Sequence, residues 1–441
     1  MIKDNFFMKR LDCYFEKRSE RYFYLKALNV YKSKLQDYKK MKIKNFLHYE
    51  RVWRSLCTKY KKINLYAIQF VSIGETVPRL FNLIHDLDNN KNELSIVLPT
   101  FFEYYIGGIY NRRMLDIFGK KVHFIRESNI DFWTYIFWFH IKEINLSSFD
   151  KYKWAKPGRV EIELYKPLLP FSDEEVFEGE EKLKKMGVKG EFICLNARES
   201  NVKTIDFGKR DGYESRCRNC DIDTFVKTSK YFSKLNIQSV RLGKYEKKKC
   251  DEETIIDYTN YYYDEFMDFY LMSRCKFLVS CDTGLVNICG NWGSPVLLTN
   301  AINLCYSWES WPDTGYDMYI PKKFYSRVKK RYLNLYEMLE TMNDCIIFTS
   351  KFYAKGIILE DNTEDEILEA AKELNDRIED KWIESEAERE NYEKYWAIMN
   401  LWRSNHMYVK ARGEDEYTMC FSRISYSYLK NNLYLLDVVI D

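Results

Sequence analysis

The sequence has no long apolar run, no export signal and no glycine-rich phosphate-binding motif, and each absence excludes a class of protein. The longest apolar stretch, from Phe132 to Ile141, is interrupted by His140 and is much shorter than the ~20 residues of a membrane-spanning helix. The start, Met1-Ile-Lys-Asp4, leads into no apolar segment with a small-residue cleavage site, which predicts no signal peptide. We therefore expect a cytoplasmic location. No dinucleotide-binding or P-loop motif accompanies the strand-to-helix segments.

A disulfide framework is also not indicated, although the chain has 12 cysteines. Cys194, Cys281 and Cys289 lie inside apolar, strand-like runs, which is typical of small buried residues in a reducing compartment. Cys217-Arg-Asn-Cys220 has the spacing of half a zinc site, but no second pair and no nearby histidine accompanies it. The sequence therefore predicts no zinc at this segment.

Charge is unevenly distributed, although the net charge is only +3. Residues 1–62 contain 18 Lys and Arg against 6 Asp and Glu, whereas residues 360–394 contain 5 basic and 15 acidic residues. Three explanations stay open for the basic segment. It docks on the acidic segment or is merely solvated, it lies peripherally on the inner face of an anionic membrane, or it binds nucleic acid. Nucleic acid is the least favoured partner, because no nucleic-acid module is recognised elsewhere in the chain.

Short β-rich runs alternate with helical stretches in two series, which predicts an α/β protein with parallel sheets. The runs are 65–71, 94–100 and 121–125 in the first series, and 191–196, 238–243, 254–258, 276–281 and 295–298 in the second. A length of 441 residues with 46% hydrophobic content predicts two or three domains. The predicted parts are a basic helical arm (1–62), two Rossmann-like domains (63–170 and 171–360), and a long helix with a tail that packs back across the domains (361–441).

The segment from Cys275 to Asn300 is the most informative part of the chain. Its pattern predicts a strand, a tight polar turn at Asp282-Thr283-Gly284, a short helix and a second strand. A helix that begins at such a turn directs N–H groups to the edge of the sheet where open α/β folds bind ligands. These N–H groups favour anions such as phosphate. The alternative is an ordinary strand-to-helix cap.

Eight short motifs follow one another in an order and spacing that resemble a family of bacterial glycosyltransferases. The motifs are Leu195–Glu199, Arg218–Ile222, Val240–Lys244, Ser280–Gly284, Pro295–Asn300, Ile320–Lys323, Ile358–Thr363 and Tyr428–Leu433. The family is distantly similar to heptosyltransferases and protein O-fucosyltransferases, and the resemblance covers residues 160–441. It implies the GT-B fold, in which two Rossmann-like domains face each other across a cleft. It also implies transfer of a sugar from a nucleotide-sugar donor to a glycan, lipid-linked or protein acceptor.

The donor's diphosphate gains negative charge as it leaves, and an enzyme without a metal must stabilise that charge with cations and fixed dipoles. Arg198 and Arg241, at the ends of predicted strands, are expected to bind the diphosphate through their guanidinium groups. The N–H groups of Thr283 and Gly284 are expected to complete this site, and Lys244 supplies a further cation.

Two carboxylates have candidate roles beside this diphosphate site. Asp282 either caps its helix or accepts hydrogen bonds from the donor's sugar or ribose hydroxyls. Inverting transfer also needs a base for the acceptor hydroxyl. Enzymes of the heptosyltransferase type carry the base shortly after the first strand of the N-terminal domain. Glu75 occupies this position in Val71-Ser-Ile-Gly-Glu75, in place of the histidine common in relatives, and His123 and Asp116 are alternatives.

Two acidic pairs, Asp86-Leu-Asp88 and Asp221-Ile-Asp223, favour a competing class of glycosyltransferase that binds its donor through a divalent metal. Neither pair follows a predicted strand, as a metal-holding motif of that class does. We therefore predict a metal-independent enzyme that needs no cofactor besides its nucleotide-sugar substrate. A function of another kind stays open as well, namely a non-catalytic scaffold that keeps the fold and is recruited through its basic arm.

Overall fold

The computed structural model describes residues 43–69, 73–88, 92–100, 111–126, 130–146, 170–199, 216–244, 248–302, 304, 314–345, 348–405 and 422–438. The chain divides into two compact units, residues 1–154 and 155–441. The division therefore precedes the domain boundary predicted at residue 170. Most of the predicted basic arm, residues 1–42, lies outside the described residues.

Unit 1 is built on a four-stranded, entirely parallel sheet with the strand order β3-β2-β1-β4. Its strands are β1 (Lys62–Gln69), β2 (Glu93–Thr100), β3 (His123–Phe124) and β4 (Asn145–Leu146). Its helices are α1 (Ile43–Lys59), α2 (Ile73–Asp88), α3 (Arg113–Phe118) and α4 (Ile130–Phe139). The first three strands coincide with the first predicted β-rich series, and β4 was not predicted.

Helix α1 packs into the core of unit 1, so the end of the predicted basic arm belongs to this unit. Trp53 of α1 is 1% exposed and lies in one apolar cluster with Ile63, Ile96 and Trp133. His140 lies within this aromatic region, with its ring centroid 5.5 Å from that of Trp53. Burying so large an indole anchors α1 on the sheet, since a fully buried aromatic side chain contributes about 1.5–3 kcal/mol.

Unit 2 contains a seven-stranded parallel sheet with the order β14-β10-β9-β8-β5-β6-β7. Its strands are β5 (Phe192–Asn196), β6 (Gln238–Arg241), β7 (Ile255–Ile256), β8 (Leu278–Ser280), β9 (Val296–Ala301), β10 (Met318–Pro321) and β14 (Arg423–Ile424). From β7 to β10 this is the 3-2-1-4-5-6 order of the doubly wound dinucleotide-binding fold. The order reverses between β5 and β8, which places the switch point there. The predicted α/β class with parallel sheets is confirmed.

A small antiparallel sheet completes the strands of unit 2. It consists of β11 (Lys323–Ser326), β12 (Arg331–Tyr332) and β13 (Ile357–Glu360). The helices are α5 (Asp173–Lys185), α6 (Val226–Lys234), α7 (Tyr258–Tyr261), α8 (Glu265–Arg274), α9 (Gly284–Asn291), α10 (Leu335–Cys345), α11 (Thr349–Ala354), α12 (Glu364–Ile378), α13 (Glu386–Asn405) and α14 (Tyr426–Leu429). No helix among the described residues is both long and apolar enough to cross a bilayer.

The single long helix predicted within residues 361–441 is wrong, because the chain forms two helices, α12 and α13, in this region. Thr363 and Glu366 form a capping box at the start of α12, as the sequence Thr-x-x-Glu favours. The break follows the end of α12, where Asp380 adopts a positive φ of 55° that no helix can continue. The charged periodicity continues through this turn and therefore concealed it.

Candidate functional site at the switch point of unit 2

Polar side chains meet where β5 and β8 end. Asn196 and Ser280 are paired across the two strands, and the hydroxyl groups of Ser280 and Thr283 both donate to Asn196 Oδ1, at 3.2 and 2.9 Å. The chain after β5 stays close to the chain after β8, since the backbone N–H of Arg198 lies 3.1 Å from Cys281 Sγ. Ligands of open α/β sheets bind beyond strand ends at such a switch point.

Helix α9 begins at this point, two residues after Asp282. Thr283 occupies the N-cap position in extended conformation, and its hydroxyl donates to Asn196 instead of capping the helix. Asp282 is therefore not the N-cap, and that alternative is excluded. Because the first N–H groups of an α-helix have no partner within the helix, the start of α9 offers donors and a partial positive charge.

Arg218 holds Asp282 by both backbone and side chain. Its Nε and Nη2 donate to the backbone oxygen of Asp282 at 3.0 and 2.7 Å, and Nε lies 3.2 Å from Asp282 Oδ2. Sequence reasoning assigned no role to Arg218. The available signal was its place at the start of one of the eight motifs, but only the fold brings it beside Asp282, 64 residues away in the chain.

Arg198 lies beside Arg218 and is 9% exposed. Its Nη1 donates to Oδ1 of Asn219, the residue that follows Arg218. Burial, and then the positive charge of Arg218, lower the pKa of Arg198 to about 10. The guanidinium of Arg198 therefore stays protonated at neutral pH. Two neighbouring guanidinium groups beside the start of α9 favour an anionic ligand.

Arg241 has a different environment from the one predicted. Its side chain is fully buried and forms ion pairs with Glu199 at 2.7 Å and Asp257 at 3.2 Å. It also donates to the backbone oxygen of Lys248 at 2.6 Å. These internal partners neutralise the guanidinium and fix it inside the protein. The expected contact between Arg241 and a phosphate conflicts with this arrangement, because two carboxylates already occupy the group.

Lys244, after β6, lies 3.4 Å from Glu265 Oε1 and 5.2 Å from the ring centroid of Tyr263. Nearby, the hydroxyl groups of Tyr258 and Tyr263 donate to the carboxylate of Asp268 at 3.1 and 3.3 Å. Burial raises the pKa of Asp268 to about 7. The contribution of Lys244 to phosphate binding stays a prediction.

Glu75 lies in the first turn of α2, shortly after β1, at the predicted place in unit 1. Its side chain lies outside the described residues, so its role stays a prediction. Of the two alternatives, Asp116 forms an ion pair with Arg126 at 2.9 Å, and His123 is exposed on the edge strand β3.

The acidic pair Asp221 and Asp223 is bridged by a lysine. Lys248 Nζ lies 2.6 Å from a carboxylate oxygen of each residue. The side chains of Asp86 and Asp88 lie outside the described residues. Within the part of the chain that the structure describes, no group of three or more His, Cys, Asp or Glu side chains is placed to hold a metal ion.

No protein-family model and no curated protein matches this chain. Among solved structures, it is similar to glycosyl transferase family 9 from Veillonella parvula DSM 2008, with 13% identity over 72% of this chain and 97% of that chain and a TM-score of 0.41. It is also similar to E. coli ADP-heptose lps heptosyltransferase II, with 11% identity over 54% of this chain and 85% of that chain and a TM-score of 0.34. A third similar structure is UDP-GlcNAc 2-epimerase from Neisseria meningitidis, with 12% identity over 54% of this chain and 82% of that chain and a TM-score of 0.27. All three similarities are distant, and the function of this chain rests on its own residues.

Proposed function

We propose that this protein is an inverting, metal-independent glycosyltransferase of the GT-B type that takes its sugar from a nucleotide-sugar donor. The observation that carries the proposal is the pair of guanidinium groups of Arg198 and Arg218 at the switch point of unit 2, beside the start of α9. Such a site suits the diphosphate of the donor, because guanidinium groups and the N–H groups of a helix start both favour phosphate oxygens.

The same groups would stabilise the leaving nucleoside diphosphate. As the bond between the anomeric carbon and the diphosphate oxygen breaks, negative charge develops on that oxygen. Arg198 and Arg218 would neutralise this charge, together with the N–H groups at Thr283 and Gly284. Arg218 takes the place that sequence reasoning gave to Arg241. Because the hydrogen bonds within the site already fix these groups, they need little reorganisation when the charge forms.

Asp282 would orient the sugar of the donor. Arg218 holds its backbone oxygen and its carboxylate, and the side chain is 11% exposed. A carboxylate fixed in this way can accept hydrogen bonds from sugar hydroxyls. The acceptor hydroxyl would attack the anomeric carbon while Glu75 takes its proton. The acceptor would be a glycan, a lipid-linked sugar or a protein. For a lipid-linked acceptor, the basic arm (1–62) would supply a peripheral membrane contact.

The proposal is tested by calorimetric titration of the full chain with GDP, UDP, ADP, dTDP and CMP. One nucleotide should bind in preference to the others. Arg198→Ala should weaken its binding by about 1.5–3 kcal/mol, or roughly 10- to 150-fold, the usual cost of losing a charge-assisted contact. Glu75→Gln should leave nucleotide binding unchanged and reduce turnover by roughly 10²- to 10⁴-fold, because it removes only the base.

Arg274→Ala is the matched control, since Arg274 is a half-exposed arginine that pairs with Glu180 and is not among the residues of the switch point. It should bind the nucleotide as well as the unaltered protein does. Equal affinity of the Arg198→Ala protein would refute the donor site. Incubation with donor alone separates transfer from epimerisation, because an epimerised nucleotide sugar would contradict the proposed reaction.

A further inference from the structure

A buried lysine connects the end of β10 to the donor site at the switch point. Lys322 directly follows β10 and is 3% exposed. Its Nζ donates to the backbone oxygen of Asn219 at 2.8 Å and to the carboxylate of Asp361. The side-chain oxygen of Asn219 in turn accepts a hydrogen bond from Nη1 of Arg198. A single residue therefore separates the buried ammonium group from a guanidinium group of the donor site.

The contact between Lys322 and Asn219 is favourable for two reasons. Asn219 lies outside the helices and strands, so no bond of regular secondary structure satisfies its backbone oxygen. A charged ammonium donor also forms a stronger hydrogen bond with a carbonyl than a neutral donor does. Burial of an ammonium group is costly unless an opposite charge compensates it, and the carboxylate of Asp361 supplies that charge. Lys322 and Asp361 therefore fix the position of Asn219 together.

Two buried asparagines hold the backbone next to this ion pair. Asn300 of β9 and Asn362, which follows Asp361, each donate a backbone N–H to the side-chain oxygen of the other, at 2.6 and 2.7 Å. The side chain of Asn362 also donates to the backbone oxygen of Pro321, the residue before Lys322, at 2.8 Å. Both asparagines are at most 2% exposed. These bonds join the ends of β9, β10 and β13, which restricts the movement of the ion pair.

These contacts involve three of the eight sequence motifs for which the proposed function has no role, namely Pro295–Asn300, Ile320–Lys323 and Ile358–Thr363. The three motifs lie along β9, β10 and β13 and contain the ion pair and both asparagines. We propose that Lys322 is a positioning residue of the donor site, which acts through Asn219 on the guanidinium of Arg198. The inference rests on the proposed function, because it assigns these contacts to diphosphate binding.

Arg198 needs such support because it lies beside a second cation, Arg218. Like charges repel each other, so contacts with neutral or anionic groups must hold the two guanidinium groups together. The side-chain oxygen of Asn219 provides one such contact. Hydrogen bonds from guanidinium groups to phosphate oxygens depend on short distances and on direction. Loss of Lys322 would therefore leave Arg198 charged but misplaced, and binding of the diphosphate would weaken.

The test is a double-mutant cycle in the full chain with Lys322→Met, Arg198→Ala and the two together. Calorimetry measures the affinity of each protein for the best-binding nucleotide among GDP, UDP, ADP and dTDP. Lys322→Met should weaken binding by about tenfold in the unaltered protein and by less than about twofold in the Arg198→Ala protein. A general loss of structure or of long-range charge would instead weaken binding by the same factor in both proteins.

Lys276→Met is the matched control. Lys276 also has a mostly buried side chain that pairs with a carboxylate, that of Glu379, but it precedes β8 and so lies at the end of this strand opposite to the switch point. This variant should bind the nucleotide normally. If Lys322→Met does not fold, as circular dichroism would show, Asp361→Asn takes its place in the cycle, because it removes the carboxylate that holds the ammonium group. The same dependence on an intact Arg198 is expected.

The inference is overturned, and the donor site stands, if Lys322→Met weakens binding equally in both proteins or does not weaken it at all. An equal loss of binding in the Lys276→Met protein would overturn it as well. If none of the four nucleotides binds to the unaltered protein, the proposed function fails and the inference fails with it. The titration of the unaltered protein therefore distinguishes the two failures.

Discussion

Strands β5 and β6 lie side by side, and a buried arginine lies at the end of each, yet the two arginines have opposite electrostatic surroundings. Arg241 lies between the carboxylates of Glu199 and Asp257, whereas Arg198 lies beside a second cation, Arg218. The position of an arginine at a strand end therefore does not decide its role. The role of each arginine is decided by the charges that the fold places around it. Removing Arg241 would leave buried carboxylates without a cation, whereas the like charges of Arg198 and Arg218 favour an anionic ligand.

The largest effect that this comparison predicts is on stability. Arg241→Ala should lower the free energy of unfolding by about 3–5 kcal/mol, because it leaves Glu199 and Asp257 without their cation in a buried position. Arg198→Ala should cost less than half as much, since removing one of two like charges relieves repulsion. Urea unfolding of both variants measures the difference. Equal destabilisation of the two would show that the comparison is wrong.

The second prediction concerns pH at the end of β6. Burial raises the pKa of Asp268 to about 7 from an ordinary value near 4, so the folded protein binds a proton there that the unfolded chain releases. The contribution of this carboxyl group to the free energy of unfolding is therefore fully present below about pH 4 and is lost as the pH rises towards 7. Asp268→Asn keeps an acceptor for Tyr258 but removes the titrating carboxyl. The difference in free energy of unfolding, variant minus unaltered protein, should therefore be about 1–2 kcal/mol more positive at pH 8 than at pH 4.

The charged and hydroxyl groups around Asp268 are Lys244, Glu265, Tyr258 and Tyr263. Urea unfolding of the unaltered protein and the Asp268→Asn protein at several pH values tests the prediction. Lys244→Met provides the matched comparison, because it removes the nearby cation that opposes the raised pKa. A difference between Asp268→Asn and the unaltered protein that does not vary from pH 4 to 8 would contradict the assignment.

Local sequence patterns predicted the strands and helices of the fold well. They failed for the partners of a side chain, which residues distant in the chain supply. The run at 276–281 contains β8, and the turn at Asp282 precedes a helix, because apolar alternation and turn residues act over a few positions. The neutralisation of Arg241 needs Asp257, which belongs to the segment after β7. Likewise, Arg218 contacts Asp282 although 64 residues separate the two in the chain. No spacing in a single sequence shows such partners.

The smallest effect is expected from removal of metal. EDTA should leave nucleotide binding and turnover unchanged, because Arg198 and Arg218 supply the positive charge that a metal provides in the competing class of enzyme. The acidic pair Asp221 and Asp223 gives the same expectation, since Lys248 already bridges both carboxylates at 2.6 Å. Asp223→Asn is the control and should bind the nucleotide normally. The prediction is contradicted if EDTA abolishes turnover, if Mn²⁺ or Mg²⁺ restores it, and if the metal restores no turnover in the Asp223→Asn protein. These results together would assign diphosphate binding to a metal held by Asp221 and Asp223. The contrast between Arg198 and Arg241 would then describe two structural arginines.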